Sequence, residues 1–321
     1  MVYVRVTGRA IINVHSANAE GSVGNYMGLT KMFILRRREK GYEITEDIVI
    51  SGNMIKHWHA VRVSELLKSQ GYSALCENCK RYIMYRSSLN YGDEYDFIKT
   101  CAIEDLHGFL QPQKQVRRES IVKFAFMLPA EEMRAEYAAI THNRVFTEKT
   151  GTIPKGEQEM MVFKREYASG LYGFLSLMDL AYVGRPLADP DNPKKVLPVD
   201  ERRLRAKCAV LALADILTGR FGAAASRAIP IIKTVELVCA VSKEPLPNLI
   251  HGFYSDYLEE SARILKAAVD SGLVKNIKVF VYGNKTSDVF SKTLTQDLVE
   301  SGDTVIEVLT KAAEVVEKWL E

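Results

Sequence analysis

From Val2 to His15 the chain alternates, with Val2, Val4, Val6, Gly8, Ala10, Ile12 and Val14 on one side and Tyr3, Arg5, Thr7, Arg9, Ile11, Asn13 and His15 on the other. A period of two predicts a strand with one core face and one polar, basic face. Met54, Ile55, Trp58, Val61, Leu66 and Leu67 then recur at helical spacing, with Ser51 or Asn53 as N-cap and Gly71 as stop, predicting a helix over 53–70. The run IVKFAFMLP predicts a strand over 121–128. A long hairpin with arms at Thr141–Glu148 and Glu157–Tyr167 follows, and then a strand over 161–180. Leu204–Leu217 is apolar on nearly every side, the mark of a buried helix within 202–217, and a strand follows over 233–242. Beyond it the pattern predicts helices at Asp256–Asp270, Ser291–Glu300 and Asp303–Glu321, with a strand at Ile277–Tyr282. The Gly- and Asn-rich stretch 16–44, basic at Arg36, Arg37 and Arg38, reads as a long excursion without a periodic signal.

Without the excursions the order is strand, helix, strand, strand, helix, strand. This βαββαβ unit predicts an α+β fold with a ferredoxin-like, RRM-like palm. The palm is discontinuous, built from 1–20, 48–71, 117–130, 158–182 and 200–243. An insertion occupies 72–116, a thumb hairpin 131–168, and a mostly helical region 244–321. Composition supports a folded, water-soluble chain: 321 residues, 47% apolar and 26% charged. No apolar run is long enough for a membrane helix and the five cysteines are scattered, which together predict a cytoplasmic protein without a membrane partner. The net charge of +3 is uneven, since residues 251–321 hold 12 acidic against 8 basic side chains and leave a balance of +7 on the first 250 residues. A basic body with an acidic end suits a nucleic-acid partner.

Three stretches carry phosphate-binding chemistry. Gly219, Gly222 and the small residues up to Ser226 leave bare backbone amides between Arg220 and Arg227, an arrangement that suits an anion, although a tight helix-capping loop has the same composition. Ser51, Gly52 and Asn53 expose amides at the positive end of a helix dipole, beside Lys56 and His57. Arg117 and Arg118 precede the strand at 121–128, and His142 and Arg144 lie on the hairpin's outgoing arm. Residues two apart on a helix point in different directions, so His57 and His59 do not make a metal pair. Cys76, Cys79, Cys101 and His107 contain half of a zinc pattern but lack a second tight knuckle spacing, so packed thiols are expected, with a structural zinc site the alternative, and no cofactor is expected. Neither GxxxxGK[ST] nor a strand-linked GxGxxG is present, which argues against a nucleotide-binding metabolic enzyme. Tyr172-Gly173-Phe174-Leu175 partly matches the second RRM motif, or is a buried strand.

The segments SGNMIKHWHA, DLHGFLQPQKQVRRES, MMVFKREYASGLYGF and above all LTGRFGAAASRAIP resemble the backbone subunit of type I CRISPR interference (Cascade) complexes, the autoregulator-like DevR type of the RAMP family, in its archaeal I-A-like form. The resemblance implies a non-catalytic scaffold that binds single-stranded guide RNA without sequence preference. It further implies a heterologous, filament-like oligomer along the guide, partner subunits of the interference complex, and a target DNA strand met through the guide. It assigns Asn13, His15 and Asn18, Ser51, Gly52, Asn53, Lys56 and His57, and Gly219, Arg220, Gly222 and Arg227 to the guide backbone. The alternative is a metal-independent endoribonuclease that processes guide precursors with His15, His57 or His142.

Overall fold

The computed structural model describes residues 1–86, 88–145, 160–222, 225–226 and 228–321. The first strand, β1 (Tyr3–His15), is followed by β2 (Ala19–Val23), β3 (Tyr26–Leu29), β4 (Lys31–Arg38) and β5 (Gly41–Ile48). Four helices come next: α1 (Gly52–Ser69), α2 (Glu77–Lys80), α3 (Glu94–Thr100) and α4 (Ala102–His107). Short strands β6 (Phe109–Gln111), β7 (Val116–Arg118), β8 (Val122–Phe124) and β9 (Leu128–Pro129) lead to the long pair β10 (Glu136–Val145) and β11 (Met160–Met178). The chain closes with α5 (Val199–Leu217), β12 (Ile231–Ser242), α6 (Tyr257–Asp270), β13 (Ile277–Tyr282), α7 (Asn284–Thr293), β14 (Val299–Ser301) and α8 (Val305–Trp319).

The architecture is α+β around one large mixed sheet. Strand β1 lies between β11 and β12, antiparallel to both, and β8 pairs antiparallel with the far end of β11. The sheet continues through β13 and the parallel β14 on one side and through β3 and β2 on the other. Val4, Val6, Ala10 and Ile12 of β1 meet α1, α5 and α8 through Ile55, Leu67, Ala209, Leu213, Val308 and Val316 in the main core. The all-round apolar character of α5 follows from its place between α1 and α8.

The other face of β1 is not open. Arg5, Thr7 and Arg9 are buried. Arg5 pairs with Asp179 at 3.0 Å, Thr7 donates to the Ile250 carbonyl at 2.8 Å, and Arg9 Nε donates to the Gly252 carbonyl at 2.7 Å. A second core, built from Val238, Ala240, Tyr257, Leu258, Leu265, Val279 and Phe290, spreads over this side. The expected polar, basic surface is therefore an interior layer, because the segment before α6 crosses it. The crossing is close. A Cβ on Gly252 would stand 2.0 Å from the Gly8 carbonyl oxygen, and one on Gly173 would stand 2.1 Å from the Gly252 carbonyl carbon. Three glycines let three backbones touch where any side chain would separate them.

Three other expectations change. The stretch after β1 is no structureless excursion: it folds into two ribbons, β2–β3 and β4–β5. The returning hairpin arm and the strand after it are one element, since β11 pairs with β10 through Ser169 and with β1 below that point. The helix expected at Ser291–Glu300 sits earlier, as α7, with Leu294 already extended.

Candidate nucleic-acid interface

Strand β1 ends in a bulge. The register with β11 slips between Ile12 and His15, and Val14 takes φ 49°, a left-handed conformation that a β-branched residue resists. Val14 N–H donates to Ser169 Oγ at 3.0 Å, and Asn13 is turned outward. His15 goes inward instead. It is fully buried, its Nε2 lies 2.9 Å from the Tyr172 hydroxyl, and burial pushes its imidazole down to about 4. The ring is neutral at physiological pH. Tyr172 and Phe174, the aromatic positions of the RRM-like tetrapeptide, are both in the main core, so neither presents a face on which a base can stack.

Asn18 joins the end of β1 to the start of α1. Its Oδ1 accepts from the Ser51 amide at 3.2 Å and from the Ser51 hydroxyl, and its Nδ2 donates to Thr30. Ser51 is the N-cap, its Oγ accepting from Met54 N at 3.2 Å. Gly52 is needed for packing, because a Cβ would stand 2.4 Å from the Phe124 carbonyl oxygen. Asn53 and His57 are exposed beside half-buried Lys56. Burial, then Arg86, lowers the Lys56 ammonium to about 8, and the same two causes lower His57. Lys56 and Arg86 line one open cleft of about 420 Å³. Among the described residues neither forms an ion pair, although Arg86 acts on the buried Glu104 carboxylate, so the cleft is basic. Arg86 was missing from the sequence candidates because it stands alone in the insertion, without a helix start or glycine run to mark it.

The small-residue turn after α5 comes to the same place. Gly219 and Gly222 have φ 100° and 113°, and a Cβ on Gly222 would lie 3.5 Å from Ala17 Cα, one residue before Asn18. Arg220 is half exposed, paired with Asp215 at 2.8 Å and with Glu65 of α1 at 3.0 Å. Arg227 lies outside the described residues. Three stretches distant in sequence therefore converge: the end of β1, the start of α1 and the Gly-Ala turn.

The remaining candidates lie elsewhere. Arg117 is exposed on β7, but its neighbour Arg118 is buried. The Arg118 guanidinium donates to Asp105 Oδ1 at 2.8 Å, to Glu94 Oε1 at 2.6 Å and to the carbonyls of Asp105, Tyr182 and Arg185 at 2.7, 2.9 and 2.8 Å. Its donors are committed inside the fold. His142, on β10, shares a hydrogen bond with the Tyr167 hydroxyl at 3.0 Å and stacks on Phe163, with ring centroids 5.2 Å apart. Arg144 follows it on β10, opposite Met161. Much of the hairpin tip lies outside the described residues. His59 is buried against His107, at 3.2 Å between Nδ1 and Nε2, and shares its other nitrogen with the Ala209 carbonyl at 2.8 Å.

The comparisons with known proteins agree with one another. The profile of the CRISPR-associated negative auto-regulator DevR/Csa2 matches residues 6–262. A CRISPR-associated protein Cas7/Cst2/DevR of Methanocaldococcus jannaschii is 39% identical over 292 residues, covering 84% of this chain and 91% of that protein. A protein of the same description from Thermoproteus tenax is 38% identical over 294 residues, covering 88% and 87%. A chain of a CRISPR RNA-guided surveillance complex, pre-nicking, superposes with a TM-score of 0.51 at 10% identity, covering 98% of this chain and all of that one, a likeness of fold. With a profile match over most of its length and relatives at this identity, the chain belongs to the CRISPR-associated DevR/Csa2 family.

Proposed function

We propose that this protein is a non-catalytic scaffold that binds guide RNA and lines up in several copies along it, within a CRISPR interference complex that meets foreign DNA through the guide. The observation that carries this reading is the convergence of Asn13 and Asn18, Ser51, Asn53, Lys56 and His57, and Gly219, Arg220 and Gly222 on one region. Such a region offers amides and cations to phosphates and no base-edge readers, so sequence reading falls to the guide. Arg86 joins this set, and Arg118 leaves it for a structural role. Strand order β12-β1-β11-β8, with α1 and α5 on one face, supports reading the centre as a ferredoxin-like palm, with β10 and β11 as its thumb. Self-association has a fitting surface in the β4–β5 ribbon, where Phe33, Tyr42 and Ile44 are 76%, 71% and 68% exposed. No described helix is long and apolar enough to cross a membrane.

The test is binding of several unrelated single-stranded RNAs to the purified protein across a salt series. Similar affinities, each falling with salt at a logarithmic slope of about −0.7 per phosphate contact, are expected. Strict sequence preference or salt-independent binding overturns the reading. Incubation with precursor RNA belongs in the same series, and specific cleavage abolished by one His→Ala change would establish the ribonuclease instead. Neutral, enclosed His15 and hydrogen-bonded His142 do not favour that outcome.

A further inference from the structure

Three of the five cysteines meet inside the insertion. The thiols of Cys76, Cys79 and Cys101 are all buried, with their sulfur atoms within 4.8 Å of one another. Cys76 is the N-cap of the single-turn α2 and Cys79 lies within that turn, held by Lys80 N–H donating to the Cys76 carbonyl at 2.9 Å. Cys101 sits between α3 and α4, and the next residue, Ala102, donates its N–H to the Ala74 carbonyl at 2.9 Å. Two separate backbone segments thus aim three sulfurs at one point. In a tetrahedral zinc site with bonds of about 2.3 Å the sulfurs stand about 3.8 Å apart, close to this spacing.

We propose that Cys76, Cys79 and Cys101 bind one zinc ion as thiolates, with the Glu104 carboxylate as the fourth ligand. His107, the partner that sequence spacing suggests, is turned to His59. Glu104 is fully buried, neither carboxylate oxygen has a hydrogen-bond partner, and it stands three residues after Cys101 on α4, outside the 4.8 Å cluster of sulfurs, so a side-chain rotation must bring it to the ion. A buried carboxylate without a partner is costly, and a cation removes that cost. Arg86 acts electrostatically on Glu104, and Lys80, salt-bridged to Glu77 at 2.8 Å, stands next to Cys79, so basic groups lie near the negative charge of such a centre. Soft thiolates with one carboxylate select zinc over magnesium or calcium. Bound zinc would clamp 74–80 to the α3–α4 junction beneath α1, whose Ser64 hydroxyl donates to the Cys79 carbonyl at 3.0 Å.

The full-length protein, purified without chelator or affinity metal, is analysed for zinc by elemental mass spectrometry. One equivalent per chain is expected, released by a mercurial thiol reagent. Cobalt(II) added after chelation is expected to give thiolate charge-transfer absorption and tetrahedral d–d bands, and added zinc to restore the melting temperature lost on chelation. Cys79→Ser should abolish binding and Glu104→Gln weaken it at least about tenfold. The chelation cycle on the unaltered chain keeps the test valid if Cys79→Ser does not fold. A chain that is isolated without zinc and takes up neither metal overturns the proposal, as does a disulfide found among the three thiols. Unchanged zinc affinity in Glu104→Gln overturns the carboxylate assignment.

Discussion

Arg118 and Arg220 are one residue type in two situations, and replacing each by alanine separates a structural from a binding role. Arg118 and Arg205 both hold Asp105, at 2.8 Å each, with no exposed side-chain surface on any of the three, and Asp105 also accepts from Gly184 N–H at 3.0 Å. Arg118→Ala breaks this buried network and leaves Glu94 with only the Leu187 amide, which should cost on the order of 3–5 kcal/mol. With a urea dependence of about 3 kcal/mol/M, 4 kcal/mol moves the unfolding midpoint down by about 1.3 M. Arg220 is 51% exposed, and pairs of that kind contribute about 0–1 kcal/mol each, so losing its two should move the midpoint of Arg220→Ala by about 0.7 M at most. RNA affinity should follow the opposite order. Native Arg118→Ala binds like the unaltered protein, whereas Arg220→Ala loses about 0.7 from the magnitude of the salt slope. Urea melts followed by fluorescence, and RNA titrations at three salt concentrations, read both quantities. An Arg118→Ala midpoint within about 0.3 M of the original refutes the network argument. Reduced RNA affinity of folded Arg118→Ala, or normal binding by Arg220→Ala, refutes the division of roles.

Further outcomes follow from other sites. Gly252→Ala must push its new methyl into the Gly8 carbonyl, so a loss of at least about 3 kcal/mol or failure to fold is expected in a urea or thermal melt. Val14→Asn, which suits φ 49°, should stabilise by about 1 kcal/mol, read as a higher melting temperature. His15 and His59 are held neutral by burial, each lowered to about 4, below the unfolded value of about 6.5. Their stabilisation is complete above pH 6.5 and is lost as pH falls toward 4, by about 1.4 kcal/mol per unit for each, or about 4 kcal/mol together by pH 5. Midpoints measured against pH should show a slope about 1.4 kcal/mol per unit shallower in His59→Asn than in the unaltered chain.

The central elements were legible from their apolar patterns: β1, α1, α5 and β12 all stand where the pattern predicts, although β1 buries both faces and α5 is apolar nearly all round. The ribbons were not, because β4 and β5 alternate in burial with the usual chemistry reversed: Phe33, Leu35, Tyr42 and Ile44 are exposed while Arg36, Thr45 and Asp47 are buried. Likewise, no local signal told Arg9 or Arg118 from a surface arginine. Gly252 covers the first and Asp105 claims the second, both through contacts between residues distant in sequence or across strands. The candidate phosphate-binding stretches could be named one at a time from glycine content and helix starts, but their meeting depends on Asn18 and Ala17, which carry no signature of their own.

Strand β11 makes the central sheet and the hairpin parts of one mechanical piece. Its 19 residues extend about 60 Å at strand rise, half laced to β10 and half to β1. Such a beam has no hinge between its halves, so displacement at the outer end travels inward as tilt of the central sheet. It also works as a ruler, since whatever the hairpin touches stands at a fixed distance from whatever the end of β1 holds. Deleting one residue within β11 would reverse the two faces of everything beyond the deletion, so its length is constrained as tightly as its composition.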